Sequence, residues 1–416
     1  MRADTLDILR CPYCGGRLAL ATAQFHTLDG DDLVDGILGC HCCAFPVVAG
    51  IPVLHLQPAA SKALGHLDAG RADLALLSVF ELEEDPASAE RFTALAGSAT
   101  STYRDIADAL GSTFEGGYFL YRFSDPTFVV AEAVVQSVAA AVLREGGRAV
   151  DVCGGSGHLT RTLVGMSSPA PVLADLYFSK TWLARRFTAP GCEAVACDGN
   201  SPLPFARGAF RYAMCSDAFM YIWTKRQFVQ EMLRLTDTGD TRTAVVINHT
   251  HNQLTWSPSH GQALPPSGYR DLFETIEPKL FAEANLLADI VGGGPLDLSR
   301  RDDQRTLDED PALTLVASRD PRVFARHPLA PAREARGEFR INPLYRAKAE
   351  DGRIRLQLHF PSEDYEQEYG ACRRYLESDL VVDSDTLGLL PAPSATGRLA
   401  DLARRRAILD LPKRYY

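Results

Sequence analysis

Apolar runs recur along the middle of the chain with helix-spaced stretches between them. They end at Asp151 (RAVD), Asp175 (PVLAD), Asp198 (AVACD), Ser216-Asp217 (YAMCSD) and Asn248-His249 (AVVINH). Continuous apolar runs separated by helical segments predict parallel strands covered on both faces. Polar residues at each run's end predict one ligand crevice along the carboxyl tips of an α/β sheet. SGYRDLFET reads as a helix. IEPKLFAE and ALTLVASRD read as the last two strands, an antiparallel pair, with a long loop from Gly292-Gly293-Gly294-Pro295 between them.

The flanks follow other patterns. RLALATAQF and DLVDGIL suit short strands near the N-terminus. Ser61 to Ala109 has helical spacing with few Gly or Pro residues and predicts two or three helices. Asp125-Pro126 predicts the start of a helix running to about Leu143, with Asp125 as cap and Pro126 in the first turn. From Pro331 the character changes. EFRINPLYRAKAEDGRIRLQLHF predicts two strands around a Glu350-Asp351-Gly352 turn, followed by mixed helix and loop. The expected division is 1–57, a cysteine-bearing unit; 58–125, a helical linker or lid; 126–320, the sheet core; and 321–416, an accessory region. That last region reads as a lid, a substrate wall or a dimer element, so a homodimer is one expected partnership.

The net charge of −10, with no strongly basic run, argues against nucleic acid as a partner. No apolar run approaches the ~18 residues of a membrane span, so no membrane partner is expected. The first residues, MRADTLDILRCPYC, lack the apolar centre of a secretion signal, so the expected location is cytoplasmic.

The segment AVDVCGGSGHLTRTL, 149–163, carries the sharpest signal. An acid two residues before a small-residue loop, Cys153-Gly154-Gly155-Ser156-Gly157, reads as strand, tight turn and helix. Glycine there lets the chain turn and a ligand approach main-chain N–H groups. This arrangement resembles the first motif of class I S-adenosylmethionine (SAM)-dependent methyltransferases. The resemblance implies a Rossmann-like class I methyltransferase sheet with helices on both faces, and SAM as cofactor. Its binding residues would be Asp151, Cys153, Gly155, Gly157, Asp175 for the ribose, Asp198 and Gly199 near the adenine, and Ser216. Tyr118 and Arg122 of the aromatic segment before the core would close over the cofactor, Arg122 toward its carboxylate.

Five of ten cysteines fall in the first 43 residues. CPYC and CHCC form two knuckles that predict a Cys₄ structural zinc site through Cys11, Cys14, Cys40 and Cys43. Cys42 breaks the two-residue spacing and reads as a spare, with it or His41 as substitute ligands. LDILRCPYCGGRL and CAFPVVAGIPVL, within Leu6 to Leu54, resemble the small zinc-ribbon activator of tRNA, ribosomal and release-factor methyltransferases. The resemblance implies a built-in ribbon beside the catalytic core, and so an α/β fold with an N-terminal zinc ribbon and a C-terminal α+β extension.

Methyl transfer from a sulfonium needs alignment of an acceptor and, for a protonated acceptor, a base. His249 and His251 after the fifth strand, and Asp217 and Tyr221 after the fourth, are the candidates. The Asn/Asp-Pro-Pro-Tyr/Phe signature of amino-group methyltransferases is replaced by Ser216-Asp217-Ala218-Phe219, which disfavours a nucleic-acid base or release factor as acceptor. The expected function is therefore methyl transfer to a small molecule. The alternatives are an RNA- or protein-directed methyltransferase with a fused activator ribbon, or a non-catalytic scaffold of the same fold.

Overall fold

Apolar residues on both sides of each strand force the middle of the chain into a sheet buried on two faces. The computed structural model describes residues 1–111, 119–257, 261–329 and 333–416. Its central sheet has seven strands: β1 (Ala149–Val152), β2 (Val172–Asp175), β3 (Glu193–Ala196), β4 (Tyr212–Ser216), β5 (Ala244–His251), β6 (Lys279–Ala282) and β7 (Ala312–Ser318). The spatial order is β6-β7-β5-β4-β1-β2-β3. The pairs β3–β2, β2–β1, β1–β4 and β4–β5 are parallel, and β7 runs antiparallel to both β5 and β6. This is the Rossmann-like methyltransferase sheet that the sequence predicts. The order reverses between β1 and β4, which is where such sheets bind ligands.

Successive residues of each strand serve opposite cores. Ala149, Leu173, Ala194, Tyr212, Met214 and Val246 face one apolar layer. Val150, Val152, Val172, Val195, Ala213, Cys215 and Ile247 face the other. The helix Pro126–Val142 covers the first face. Asp125 caps it by accepting from Phe128 N at 2.6 Å, with Pro126 at the first position, as predicted. Among the described residues, 58–111 hold four helices, Pro58–Asp68, Ala72–Val79, Pro86–Gly97 and Tyr103–Ala109, where two or three were expected. Pro86, preceded by the capping Asp85, breaks what reads as continuous helical spacing. SGYRDLFET is helical only as far as Arg270, an unassigned stretch after β6 forms the helix Glu283–Val291, and the expected loop beyond it contains the helix Gln304–Glu309.

The N-terminal unit builds a small sheet around Asp32–Gly39 and Ala44–Val48. It extends the edge of the central sheet: Val53 bridges Ala196 of β3 in parallel, and Leu54 N donates to Ala196 O at 2.7 Å. Ile51 and Val53 join one core, and Leu9, Leu38, Phe45 and Val47 the other. The unit therefore shares the hydrophobic cores of the sheet it abuts.

The C-terminal region has its own core around Leu344, Leu356, Tyr365, Cys372, Leu402 and Ile408. Its hairpin pairs Tyr345–Glu350 with Arg353–Leu358 around Asp351-Gly352, at the predicted turn. Glu334–Ile341, whose residues from Glu338 on were expected to be part of that hairpin, instead joins Ala392–Ser394 and Ile408–Leu411 in a separate sheet. Asn342 redirects the chain. Its carbonyl oxygen accepts from Leu344 N and Ser124 Oγ, and its amide donates to Arg406 O. Among the described residues no helix is long and apolar enough to cross a membrane.

Candidate functional site

Three neighbouring strand tips carry a non-glycine residue in the left-handed region: Cys153 after β1 (φ 61°), Asp217 after β4 (φ 54°) and His249 within the end of β5 (φ 48°). Such backbone is costly for residues with a Cβ and gathers at functional sites. The three tips flank the point where strand order reverses. At β5 the register against β7 shifts between Ile247 and Thr250, a bulge that re-aims His249.

On the β1 side, Gly155 (φ 54°) donates its N–H to Asp175 Oδ2 at 2.9 Å, and Tyr177 N donates to Oδ1 at 3.0 Å. Asp175 thus stands at the mouth of the glycine loop. Gly157 (φ 76°) lies where a Cβ would come within 2.8 Å of Ala184 Cβ, so the loop can pack only with glycine there. Asp198 anchors the turn after β3 by accepting from Asn200 N at 2.8 Å. Gly199 sits where a Cβ would meet Cys153 Sγ at 3.0 Å. Ser216 Oγ accepts from the Asn248 amide at 2.8 Å, tying the β4 and β5 tips.

Asp151, expected as a cofactor ligand, lies near the end of β1. It is buried beneath the loop, where Oδ2 accepts from Thr160 Oγ1 at 2.6 Å and a Cβ on Gly154 would strike its carboxyl. Burial raises its pKa to about 7. Its Oδ1, with Ser156 Oγ and Asn248 Oδ1, is buried without a hydrogen-bond partner among the described residues. Buried polar atoms left open beside a glycine loop fit a ligand that brings polar groups of its own.

On the β4–β5 side, one ligand atom each of Asp217, His249 and His251 lies within 4.8 Å of the other two. The histidine rings are 5.4 Å apart and nearly perpendicular. His249 Nδ1 pairs with Glu283 Oε2 at 2.7 Å, while the Glu283 Oε1 atom accepts from His249 N and from Thr314 Oγ1, both at 2.8 Å. His251 Nδ1 pairs with Ser257 Oγ at 2.8 Å. Burial alone would lower the pKa of His249, but the Glu283 carboxylate outweighs it and holds the ring at about 9. Burial, and then the neighbouring His249, push His251 down to about 4. One histidine is therefore a cation at neutral pH and the other a free base.

Arg122 was expected to meet the cofactor carboxylate. It is buried and turned to protein carboxylates instead, 3.1 Å from Asp217 Oδ2 and 3.3 Å from Asp125 Oδ2. Tyr118 lies outside the described residues. Tyr221, on the turn Phe219–Tyr221, is 55% exposed. Asn252, just past the end of β5, braces the fold by donating to the carbonyls of Leu307, Asp308 and Asp310. The sequence reading missed Glu283, and it missed Glu368, a C-terminal residue whose pKa is raised first by burial and also by Asp217. Glu283 sits in the first turn of an unpredicted helix, so no signal marked it.

The C-terminal region closes over this side. Tyr365 OH donates to Tyr121 O at 3.4 Å, Tyr375 OH to Ser124 O at 2.8 Å, and Arg406 to Phe123 O at 2.9 Å. Tyr415 OH pairs with His158 Nε2 at 2.6 Å and donates to Phe119 O at 2.5 Å. His158, stacked on Phe119 and held at about 3 by burial, is a packing residue.

The N-terminal cysteines form a second constellation. Cys11–Cys42 and Cys40–Cys42 are 3.6 Å apart between sulfurs, and Cys14–Cys40 is 3.7 Å. A tetrahedron of ~2.3 Å zinc–sulfur bonds has sulfur–sulfur edges of about 3.8 Å. The four converging residues are Cys11, Cys14, Cys40 and Cys42. Cys42 therefore replaces Cys43 in the expected set. The turn folds so that the Cys43 carbonyl accepts from Cys40 N at 3.0 Å and Cys43 N donates to Cys40 Sγ at 3.4 Å, leaving Cys43 Sγ outside the group, 3.3 Å from Cys42 Sγ.

No protein-family model matches the chain, and no curated protein does. Solved structures share the fold at a distance. A SAM-dependent methyltransferase of Thermotoga maritima, described as a possible histamine N-methyltransferase, is 14% identical with a TM-score of 0.33, over 50% of this chain and 96% of that one. Geranyl diphosphate C-methyltransferase of Streptomyces coelicolor is also 14% identical, with a TM-score of 0.32, over 42% and 69%. A chain of the Haloferax volcanii complex between the Trm112 methyltransferase activator and its candidate methyltransferase is 18% identical, with a TM-score of 0.32, over 44% and 89%. Likeness this distant says nothing of reaction or substrate.

Proposed function

We propose that the chain is a SAM-dependent methyltransferase acting on a small molecule. One observation carries the reading: an open glycine loop, the Asp175 carboxylate and the Asp217–His249–His251 cluster adjoin the strand-order reversal of a single sheet. When bound, SAM would supply a methyl group on a sulfonium, ready for a nucleophile held in line. The Gly155 N–H and Asp175 would hold the ribose end, with Asp198 beyond it. Asp217 and the two histidines would face the acceptor. His251, neutral at working pH, is the group able to take a proton from an acceptor hydroxyl or amine. His249, fixed by Glu283, would orient the acceptor. The C-terminal region, through Glu368 and the tyrosines that fasten 119–125, would exclude water.

The four-thiol cluster supports a structural zinc in the N-terminal unit, since four protein ligands leave no open position for chemistry. The net charge of −10 favours a small acceptor over RNA. Calorimetry with SAM tests the core of this reading. Binding of SAM, weakened in Asp175→Ala, supports it; preference for a nicotinamide dinucleotide overturns it.

A further inference from the structure

The cluster at the β4 and β5 tips has the donor set of a metal site. We propose that Asp217, His249 and His251 bind a divalent first-row cation, which holds an acceptor bearing two adjacent oxygens. Two imidazoles and a carboxylate that leave positions open are a recurring set for such ions. Each histidine already has its Nδ1 committed, His249 to Glu283 and His251 to Ser257. A ring held through Nδ1 presents Nε2 in a fixed orientation, the outer support that metal-binding histidines regularly have. The backbone adds to this, because Asp217 and His249 both occupy the left-handed region on adjacent strands.

Charge points the same way. Glu283 is hydrogen-bonded to His249, and Asp125 shares Arg122 with Asp217. Three carboxyl groups thus gather around the histidines and one guanidinium, Arg122, which is paired with Asp217 and Asp125. A cation among them would offset the excess negative charge. An ion held by only three protein ligands keeps positions for acceptor oxygens; its binding displaces the His249 proton, and with His251 on the ion it is the ion, by lowering the pKa of a bound hydroxyl, that takes over from His251 in easing proton loss. An acceptor with neighbouring hydroxyl, carboxylate or carbonyl oxygens could chelate it. The site differs from the N-terminal cluster in both donor chemistry and coordination.

This proposal deepens the methyltransferase reading and, for the acceptor, rests on it. The test adds Mn²⁺ to the full chain with its thiol cluster zinc-loaded, and follows free Mn²⁺ by electron paramagnetic resonance. One Mn²⁺ per chain is expected. Asp217→Asn, and His249→Asn, which keeps a residue that tolerates the left-handed backbone, should abolish binding with zinc content unchanged. Glu283→Gln should weaken it about 10–100-fold, the range for a lost outer-shell partner. Wild-type protein that binds no more Mn²⁺ than Asp217→Asn overturns the site and leaves a His249–Glu283 ion pair only. SAM calorimetry on the same samples separates the two readings. SAM binding without Mn²⁺ binding sinks this proposal alone. Mn²⁺ binding without SAM binding keeps the site and sinks the methyltransferase reading.

Discussion

The two polar constellations of this chain are built in opposite ways. The N-terminal cluster draws four like atoms from two short knuckles, and its sulfurs stand at the spacing of a closed tetrahedron. The cluster at the strand tips draws unlike groups from residues between Arg122 and Glu368, brought together by sheet order, a bulge and an accessory domain. A closed set of four identical ligands suits holding a fold together. An open set, with strained backbone and two histidines of opposite protonation, suits holding something that changes. The first should fail by losing structure and the second by losing turnover.

The largest expected effect breaks the closed side. Structural zinc in small isolated domains is worth about 10–16 kcal/mol of apparent binding free energy that is also folding free energy. Cys42→Ser should reduce zinc to well below one per chain and expose the N-terminal unit to protease, while Cys43→Ser keeps the metal. Metal analysis of the two proteins decides between the ligand sets. The reverse outcome would restore Cys43.

On the open side, His251→Ala should lower turnover about 10²–10⁴-fold, the range for a lost general acid–base group. SAM affinity and melting temperature should stay near wild type. If the variant loses stability and turnover in parallel, the two regions do not differ as argued.

Legibility in the sequence followed the same division. The sheet was readable because each strand is a continuous apolar run with polar residues at its end, a purely local signal. Asp175, Asp198, the glycine loop and the two knuckles were local as well. The choice between Cys42 and Cys43 was not, because it depends on which way the second knuckle turns, and spacing alone favours the wrong thiol. Glu283 and Glu368 were invisible for a different reason. Each lies in an ordinary acidic helix turn and gains meaning only from a partner far along the chain. Arg122 was noticed, but its pairing with Asp217 and Asp125 is a fact that only packing reveals.

A smaller effect sharpens the cofactor end of the open site. Asp175→Ala removes the acceptor of the Gly155 and Tyr177 N–H groups. It should weaken SAM binding by about 1–3 kcal/mol, the cost of leaving such groups unpaired. Titration calorimetry checks this. Unchanged affinity would place the ribose elsewhere.

The last effect is a pH signature confined to the open cluster. His249 titrates near 9 in the folded chain and near ~6.5 when unfolded. A raised folded pKa stabilises fully below the unfolded value, so this contribution is present below about pH 6.5 and is lost as pH rises through about 9. His251 runs the other way. Its folded pKa near 4 favours the neutral ring, so its contribution is complete above about pH 6.5 and fades as pH falls toward 4. Metal-stripped protein should therefore show a melting temperature that declines on both sides of neutrality. In Glu283→Gln the carboxylate that raises His249 is gone. The alkaline decline between about pH 6.5 and 9 should flatten, while the acidic decline remains. An alkaline limb unchanged in that variant would mean that other groups set it, and that the His249–Glu283 pair does not hold the proton on which the contrast between the two histidines depends.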